Sequence, residues 1–485
     1  MRFHVENFGC RATQADGAAL EEQFRQLGYR PAGEAPAAEV VVVNTCTVTA
    51  AADQQARQYV RRLHEKNPAA RILVTGCYAQ RAPAELAGLP GVAWVVDNSH
   101  KPAIGALIER ELGRAAKNFI SLERLRHPTG PAPPAFGPAP TPAEASEGVE
   151  LSIAAQPAKV ITGNILEQKA VLVAPAFGSS AARGADRGSR TRPTLKIQDG
   201  CNNRCAYCVI PFVRGRSRSL PGEEVIAQVR RLVATGYKEI VLSGVDLGSY
   251  GLDLRPRRSL LALTERLLTD TLVPLLRFSS LEPMDLSDDF VDLLASSRRI
   301  ARHIHAPLQS GSNRILRRMR RWYSREEYAE RIGAAAAALP GLGLGADVIV
   351  GFPGESEADF RATYEVVEQL PFSYLHIFSF SPRPGTAAAT LPDAVPATVI
   401  KERHRALRQL AAEKAARFRA QQVGRVLRVL TLGTTNPDGT RNALSENYLK
   451  VHLPATLPSN QLLFVRVSRL AEEALRGEPL GAGMN

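Results

Sequence analysis

The 485-residue chain has no apolar run of about 18 residues or more, so no membrane span is expected. Its first residues, MRFHVENFGC, lack the apolar stretch of a secretory signal, and a cytoplasmic location is expected. Cysteine is scarce, six in all. In a reducing compartment, spaced cysteines bind metal more often than they pair as disulfides. Negative charge is in deficit: 48 Asp and Glu face 61 Lys and Arg, a net +13. That balance favours an anionic partner such as nucleic acid over an acidic or membrane-embedded role. With 45% hydrophobic residues the chain can build substantial cores, and its length suggests about two to four domains.

Residues 1–118 alternate strand and helix signals. RFHVENF, EVVVVNT and RILVTG read as strands, and each precedes a cysteine: Cys10, Cys46 and Cys77. Continuous apolar runs flanked by helices read as buried parallel strands of an open α/β sheet. The carboxyl ends of such strands share one edge, where ligands bind, so three cysteines distant in sequence can meet there. Taken singly, each is equally a buried structural thiol.

Residues 119–192 break the pattern. The proline-dense HPTGPAPPAFGPAPTP and the basic SSAARGADRGSRTR read as a linker or insertion, with KVITGNILEQKAVLVA as a short hairpin. Over 193–420 the alternation resumes with six candidate strands, which predict a partial (β/α)6 barrel with its site at the strands' carboxyl ends. Residues 421–485 carry short strands separated by turn residues and predict a small β-barrel. The fold class is therefore α/β with a C-terminal β-barrel.

The stretch DGCNNRCAYCVIPFVRGRSRS sits at the end of the first barrel strand. It holds Cys201, Cys205 and Cys208 in a C-x3-C-x2-C spacing. Structural zinc takes four protein ligands, so a zinc loop here would need a distant fourth. A [4Fe–4S] cube held by three thiolates instead keeps one iron open for a substrate.

CNNRCAYC resembles the radical S-adenosylmethionine (SAM) signature. FGCRATQ, VVVNTCTVT, VTGCYAQ, HAPLQSGSNRILRRMRR and DVIVGFPGES resemble the methylthiotransferase family, and the C-terminal segment resembles its TRAM barrel. The resemblance implies two [4Fe–4S] clusters: a SAM-binding one on Cys201, Cys205 and Cys208, and an auxiliary one on Cys10, Cys46 and Cys77. It implies that Tyr207 lies near the SAM adenine. It also implies that a radical generated from SAM activates C2–H of a modified adenine, that the auxiliary cluster supplies sulfur, and that a second SAM supplies the methyl group. Strand-end candidates for SAM contact are Ser243, Gly244, Glu282, Gln309 and Asp347, with Ser310 beside them. His303 and His305 fit the same pattern.

KIQDGCNNRCAYCVIPFVRGRSRS and SGVDLGSYG are most similar to the branch that acts on N6-threonylcarbamoyladenosine beside the tRNA anticodon. The implied partners are the anticodon stem-loop, a reductant protein and a sulfur donor. The alternatives are a methylthiotransferase for isopentenyladenosine or for a ribosomal-protein aspartate, and a non-catalytic iron–sulfur RNA-binding protein. Arg214, Arg216 and Arg218, and the run from Arg314 to Arg321, are candidate phosphate contacts.

Overall fold

The computed structural model describes residues 1–112, 158–173 and 191–480. The N-terminal strands are β1 (Arg2–Asn7), β2 (Arg30–Pro31), β3 (Val40–Thr45), β4 (Arg71–Gly76), β5 (Val92–Val96) and β6 (Lys159–Ile161). They form one parallel sheet in the order β2-β1-β3-β4-β5-β6. Period-two alternation explains how β3 is buried on both faces. Val41 and Val43 pack with Ala56, Val60, Leu63 and Ile72, while Val40 and Val42 pack with Phe3, Leu20, Phe24 and Trp94. The described part of 119–192 forms no hairpin. Instead, β6 pairs in parallel with β5 and extends this sheet. The rest of that segment, including its proline-dense stretch, lies outside the described residues.

The central strands are β7 (Thr194–Lys196), β8 (Gln198–Asp199), β9 (Arg218–Ser219), β10 (Ile240–Ser243), β11 (Leu276–Phe278), β12 (His303–His305), β13 (Gly343–Val350) and β14 (Tyr374–Ser379). Two parallel three-stranded sheets, β11-β10-β7 and β12-β13-β14, meet where Leu276 pairs with Ile300. Together they make the expected six-stranded partial barrel around one continuous core. The antiparallel ribbon β8-β9 branches from the end of β7 and fixes both ends of the cysteine-bearing loop between them.

The helix Ala397–Ala420 leads into a closed barrel, β15 (Val426–Thr435), β16 (Thr440–Ser445), β17 (Lys450–Pro454), β18 (Leu462–Ala471) and β19 (Ala474–Pro479). Its order is β15-β16-β17-β19-β18, closed around Val429, Val451, Leu453 and Val465. β16 and β19, both short and rich in polar or glycine residues, carry no strand signal in the sequence; closure supplies their pairing. No described helix is long and apolar enough to cross a membrane.

Candidate functional site

Cys201, Cys205 and Cys208 lie on the loop that leaves β8. Gly200 starts it at φ +71, where a side chain would meet the Gly215 carbonyl. The Cys201 N–H donates to Gly215 O at 3.1 Å and the Cys208 N–H to Cys205 O at 3.1 Å. The three thiols lie close enough for their charges to interact. Burial raises the pKa of Cys201, and the Asp246 carboxylate and the other two thiols add to that rise. Burial likewise pushes Cys208 up to about 12, with the Cys205 charge adding and Arg321 opposing. Three partly exposed soft donors on one loop are suited to a multinuclear cation among them.

The carboxyl ends of β1, β3 and β4 bring Cys10, Cys46 and Cys77 together in the same way. Burial raises the Cys46 pKa, and the charges of Cys10 and Cys77 raise it further. A Cβ on Gly9, at φ +108, would lie 2.8 Å from Cys46 Sγ, so the glycine leaves room beside the thiol. Thr13 Oγ1 lies 3.6 Å from Cys10 Sγ. This donor set also fits an iron–sulfur cluster.

The two triads are joined by the short helix Ile210–Arg214, which starts just past Cys208. Val209 and Val213 pack directly against Cys77. Asn98 Nδ2 donates to Val213 O at 2.7 Å and lies 3.8 Å from Cys77 Sγ. Beneath this helix lies a buried charge network. Asp16 pairs with Lys101 (3.0 Å), Arg214 (3.0 Å) and Lys196, and Asp199 pairs with Lys196 (2.7 Å), Arg214 (2.9 Å) and Arg218 (3.2 Å). Burial alone would raise the Asp16 pKa, but Lys101, Lys196 and Arg214 outweigh it and hold the carboxyl below its ordinary range.

The arginine runs are therefore corrected as an RNA face at Arg214, Arg218 and Arg321, while Arg216, Arg317 and Arg320 are exposed. Arg214 and Arg218 are buried ion-pair partners, and only Arg216 of that trio is exposed. Arg321 is also buried: it pairs with Glu282, donates to Cys205 Sγ at 3.3 Å, and stacks on Trp322 and Tyr323. Arg314 pairs with Asp359. An unmatched basic surface lies elsewhere. Lys401, Arg405 and Arg408, all exposed and at helical i, i+4, i+7 spacing, line a cavity of about 490 Å³ with Ser379, at the carboxyl end of β14, and His404.

The remaining sequence-derived candidates distribute around the first triad. Tyr207 packs with Ala206, Met319 and Phe352. Ser243 is fully buried and its hydroxyl has no hydrogen-bond partner. A Cβ on Gly244 would lie 2.8 Å from Gln198 Oε1. Glu282 is engaged by Arg321, and burial raises its pKa. Gln309 has φ 63 and its N–H donates to Asp347 O at 2.8 Å. The Asp347 carboxylate sits 3.1 Å from His305, farther into the barrel, in a group with His376. Two functional positions were not singled out by sequence reasoning. Asp246 lies 3.6 Å from Cys201 Sγ and accepts from Asn203 Nδ2 at 3.0 Å. Arg321 was read only as a surface charge. The strand-end position of Asp246 in LSGVDLG was the one available signal for it.

Residues 195–367 match the family model of the Radical SAM superfamily, and residues 2–97 match the one described as uncharacterized protein family UPF0004. The radical SAM methyltransferase TsrM from Kitasatospora setae, with cobalamin and a [4Fe–4S] cluster bound, shares the fold at a TM-score of 0.52 and 16% identity, over 80% of this chain and 76% of that one. Fold and motif thus define a radical SAM protein. The chain is 36% identical over 454 residues to the threonylcarbamoyladenosine tRNA methylthiotransferase MtaB of Aquifex aeolicus, covering 93% of this chain and 96% of that protein. It is 36% identical over 457 residues to that of Bacillus subtilis, covering 94% and 90%. It is 30% identical over 481 residues to the tRNA-2-methylthio-N(6)-dimethylallyladenosine synthase of Moorella thermoacetica, covering 98% of each. The chain belongs to the MtaB-like radical SAM methylthiotransferases. Membership implies SAM and iron–sulfur chemistry.

Proposed function

We propose that this protein is a tRNA-modifying enzyme that inserts a methylthio group at C2 of N6-threonylcarbamoyladenosine, at position 37 beside the anticodon. The observation that carries the reading is the pair of cysteine triads, one on each α/β unit, linked by the helix Ile210–Arg214, whose Val213 packs on Cys77. The relatives' names supply the substrate. When bound, two [4Fe–4S] clusters with SAM supply hydrogen abstraction, sulfur and methyl transfer.

This chain's residues then do the following. Cys201, Cys205 and Cys208 hold the SAM-binding cluster, and Cys10, Cys46 and Cys77 hold the auxiliary one. Tyr207, Ser243, Gly244, Glu282, Gln309 and Asp347 line the SAM side. Arg321 ties Glu282 to the first triad and holds that carboxylate in place. Lys401, Arg405 and Arg408, with no carboxylate partner among the described residues, lie at the rim of the barrel's carboxyl end, where RNA backbone would pass if a nucleotide entered the barrel. We assign 1–118 to the auxiliary unit, 193–420 to the radical SAM unit and 421–485 to an RNA-binding barrel, with 119–192 as the connecting segment. A reductant protein and a sulfur donor, in the cytoplasm, complete the cycle.

Mass spectrometry of tRNA nucleosides from a strain lacking the gene tests this. The 2-methylthio derivative of threonylcarbamoyladenosine should vanish, leaving the unthiolated nucleoside, and return on complementation. Its persistence in a strain with no second such gene would refute the assignment.

A further inference from the structure

All three parts of the chain meet at one tyrosine near the amino ends of the central strands. Tyr448 lies in the turn between β16 and β17, at φ 70. A non-glycine residue with a large ring is held there only when its surroundings demand it, and such positions cluster at functional sites. The surroundings are tight. Arg277 donates to Ser445 O (3.1 Å) and Glu446 O (2.9 Å), and Gly343 leaves space only for the Asn447 carbonyl. The Tyr448 ring is thereby laid on His303, with ring centroids 4.4 Å apart, and beside Tyr374 at 5.5 Å. Its hydroxyl accepts a hydrogen bond from Arg11 Nη2 at 2.8 Å. Arg11 follows the cluster candidate Cys10 directly.

The charges at this point do not balance. Arg192 and Arg277 share the single carboxylate of Glu239, at 3.2 and 2.7 Å. Arg11 adds a third guanidinium, and among the described residues it has no carboxylate partner. The repulsion is felt: burial lowers the pKa of His303, and Arg277 and Arg11 lower it further. Yet the region is open to a ligand, since Arg11, Tyr374 and Tyr448 are half-buried and His376 is exposed. A cluster of half-buried aromatic rings beside a guanidinium with no carboxylate partner suits a planar group that carries a carboxylate.

We propose that Arg11 and Tyr448 bind the carboxylate of the threonylcarbamoyl group on N6 of the adenosine, and so select that nucleoside over one bearing a neutral, apolar N6 substituent. The proposal rests on the substrate reading above and names the residues that enforce it. The C-terminal barrel then contributes a specificity residue to the chamber as well as surface for RNA. A neutral substituent would leave the guanidinium without a carboxylate partner, which is how a polar pocket rejects an apolar analogue.

The test uses the full chain reconstituted with iron and sulfide under anaerobic conditions. Two anticodon stem-loops of identical sequence serve as probes, one with N6-threonylcarbamoyladenosine and one with N6-isopentenyladenosine at position 37. Wild type should bind the first more tightly by roughly 50-fold, as expected for one charged hydrogen-bonded contact. Arg11→Gln and Tyr448→Phe should each narrow that ratio, Arg11→Gln to within a few-fold, with affinity for the isopentenyl loop unchanged and Arg11→Lys restoring part of it. Iron content reports whether Arg11→Gln disturbs the neighbouring Cys10; Tyr448→Phe, on another domain, is free of that concern. A wild-type preference that survives both substitutions overturns the proposal. A wild type that prefers the isopentenyl loop overturns the substrate reading itself.

Discussion

Replacing Asp16 with asparagine removes the one carboxylate shared by Lys101, Lys196 and Arg214. In the intact network four cations, Lys101, Lys196, Arg214 and Arg218, face two carboxylates, Asp16 and Asp199, and all six side chains are buried. After the change Lys101 retains only Asn44 Oδ1 at 3.1 Å, and three cations crowd Asp199. Removing one partner of a buried pair costs about 3–5 kcal/mol, because the charge left behind stays desolvated. The loss falls on docking, since Asp16 and Lys101 belong to the N-terminal unit and Lys196, Asp199 and Arg214 to the central one. Trp94, on β5, reports on the N-terminal sheet, and a Trp322→Phe background isolates its fluorescence. The Trp94 urea transition should move to lower denaturant by the equivalent of about 3–5 kcal/mol. The pH dependence has a definite sign. The Asp16 carboxyl has its pKa lowered in the folded state, so its contribution is present above the unfolded value of about 3.9 and is lost as pH falls through the folded one. The gap between wild type and Asp16→Asn should therefore hold from neutral pH to about 4 and close only below it. A shift under about 0.5 kcal/mol at pH 7, within the range of ordinary surface substitutions, would refute the claim that this network docks the two units.

Three further outcomes follow from individual residues. Asp285 has its pKa raised to about 7, first by burial and then by Asp246, so its stabilising contribution is full below the unfolded value of about 3.9 and is lost as pH rises to about 7; Asp285→Asn, which can still accept from the Glu282 N–H, should flatten the pH dependence of the central unit's urea midpoint between about 4 and 7. Gly9→Ala would push a methyl group against Cys46 in a left-handed backbone conformation, and it should lower iron content and destabilise the N-terminal unit by at least about 1 kcal/mol in the same Trp94 assay. Reversing Lys401, Arg405 and Arg408 to Glu should weaken tRNA binding and reduce the slope of log affinity against log salt by roughly 2 to 3, measured by filter binding, while leaving SAM cleavage without RNA unchanged.

The parts of the fold legible in the sequence are those with a local cause. β3 and β4 are largely apolar runs that end at cysteines, β1 precedes a third, and strand-end geometry predicts that Cys10, Cys46 and Cys77 converge. The six central strands were equally visible. β6 was not, because its partner β5 lies some 60 residues upstream and its own sequence carries only a weak strand pattern. The arginines were misread for a related reason. A charge in a sequence says nothing about its partner: Arg214 meets Asp16 across 198 positions, and Arg321 meets Glu282 across 39. A period-two arginine run therefore looked like a solvated face although two of its members are buried. Tyr448 was silent as well, because its role depends on how the C-terminal barrel docks and on a backbone conformation that no propensity favours.

The central claim is that the two thiol triads each hold a cluster. The most direct measurement is iron and acid-labile sulfide per chain after anaerobic reconstitution, paired with electron paramagnetic resonance of the reduced protein, for wild type and for Cys46→Ala. The account predicts about eight irons and two signals in wild type, and about four irons with the SAM-sensitive signal retained in Cys46→Ala. About four irons in wild type, or about eight in Cys46→Ala, would contradict it.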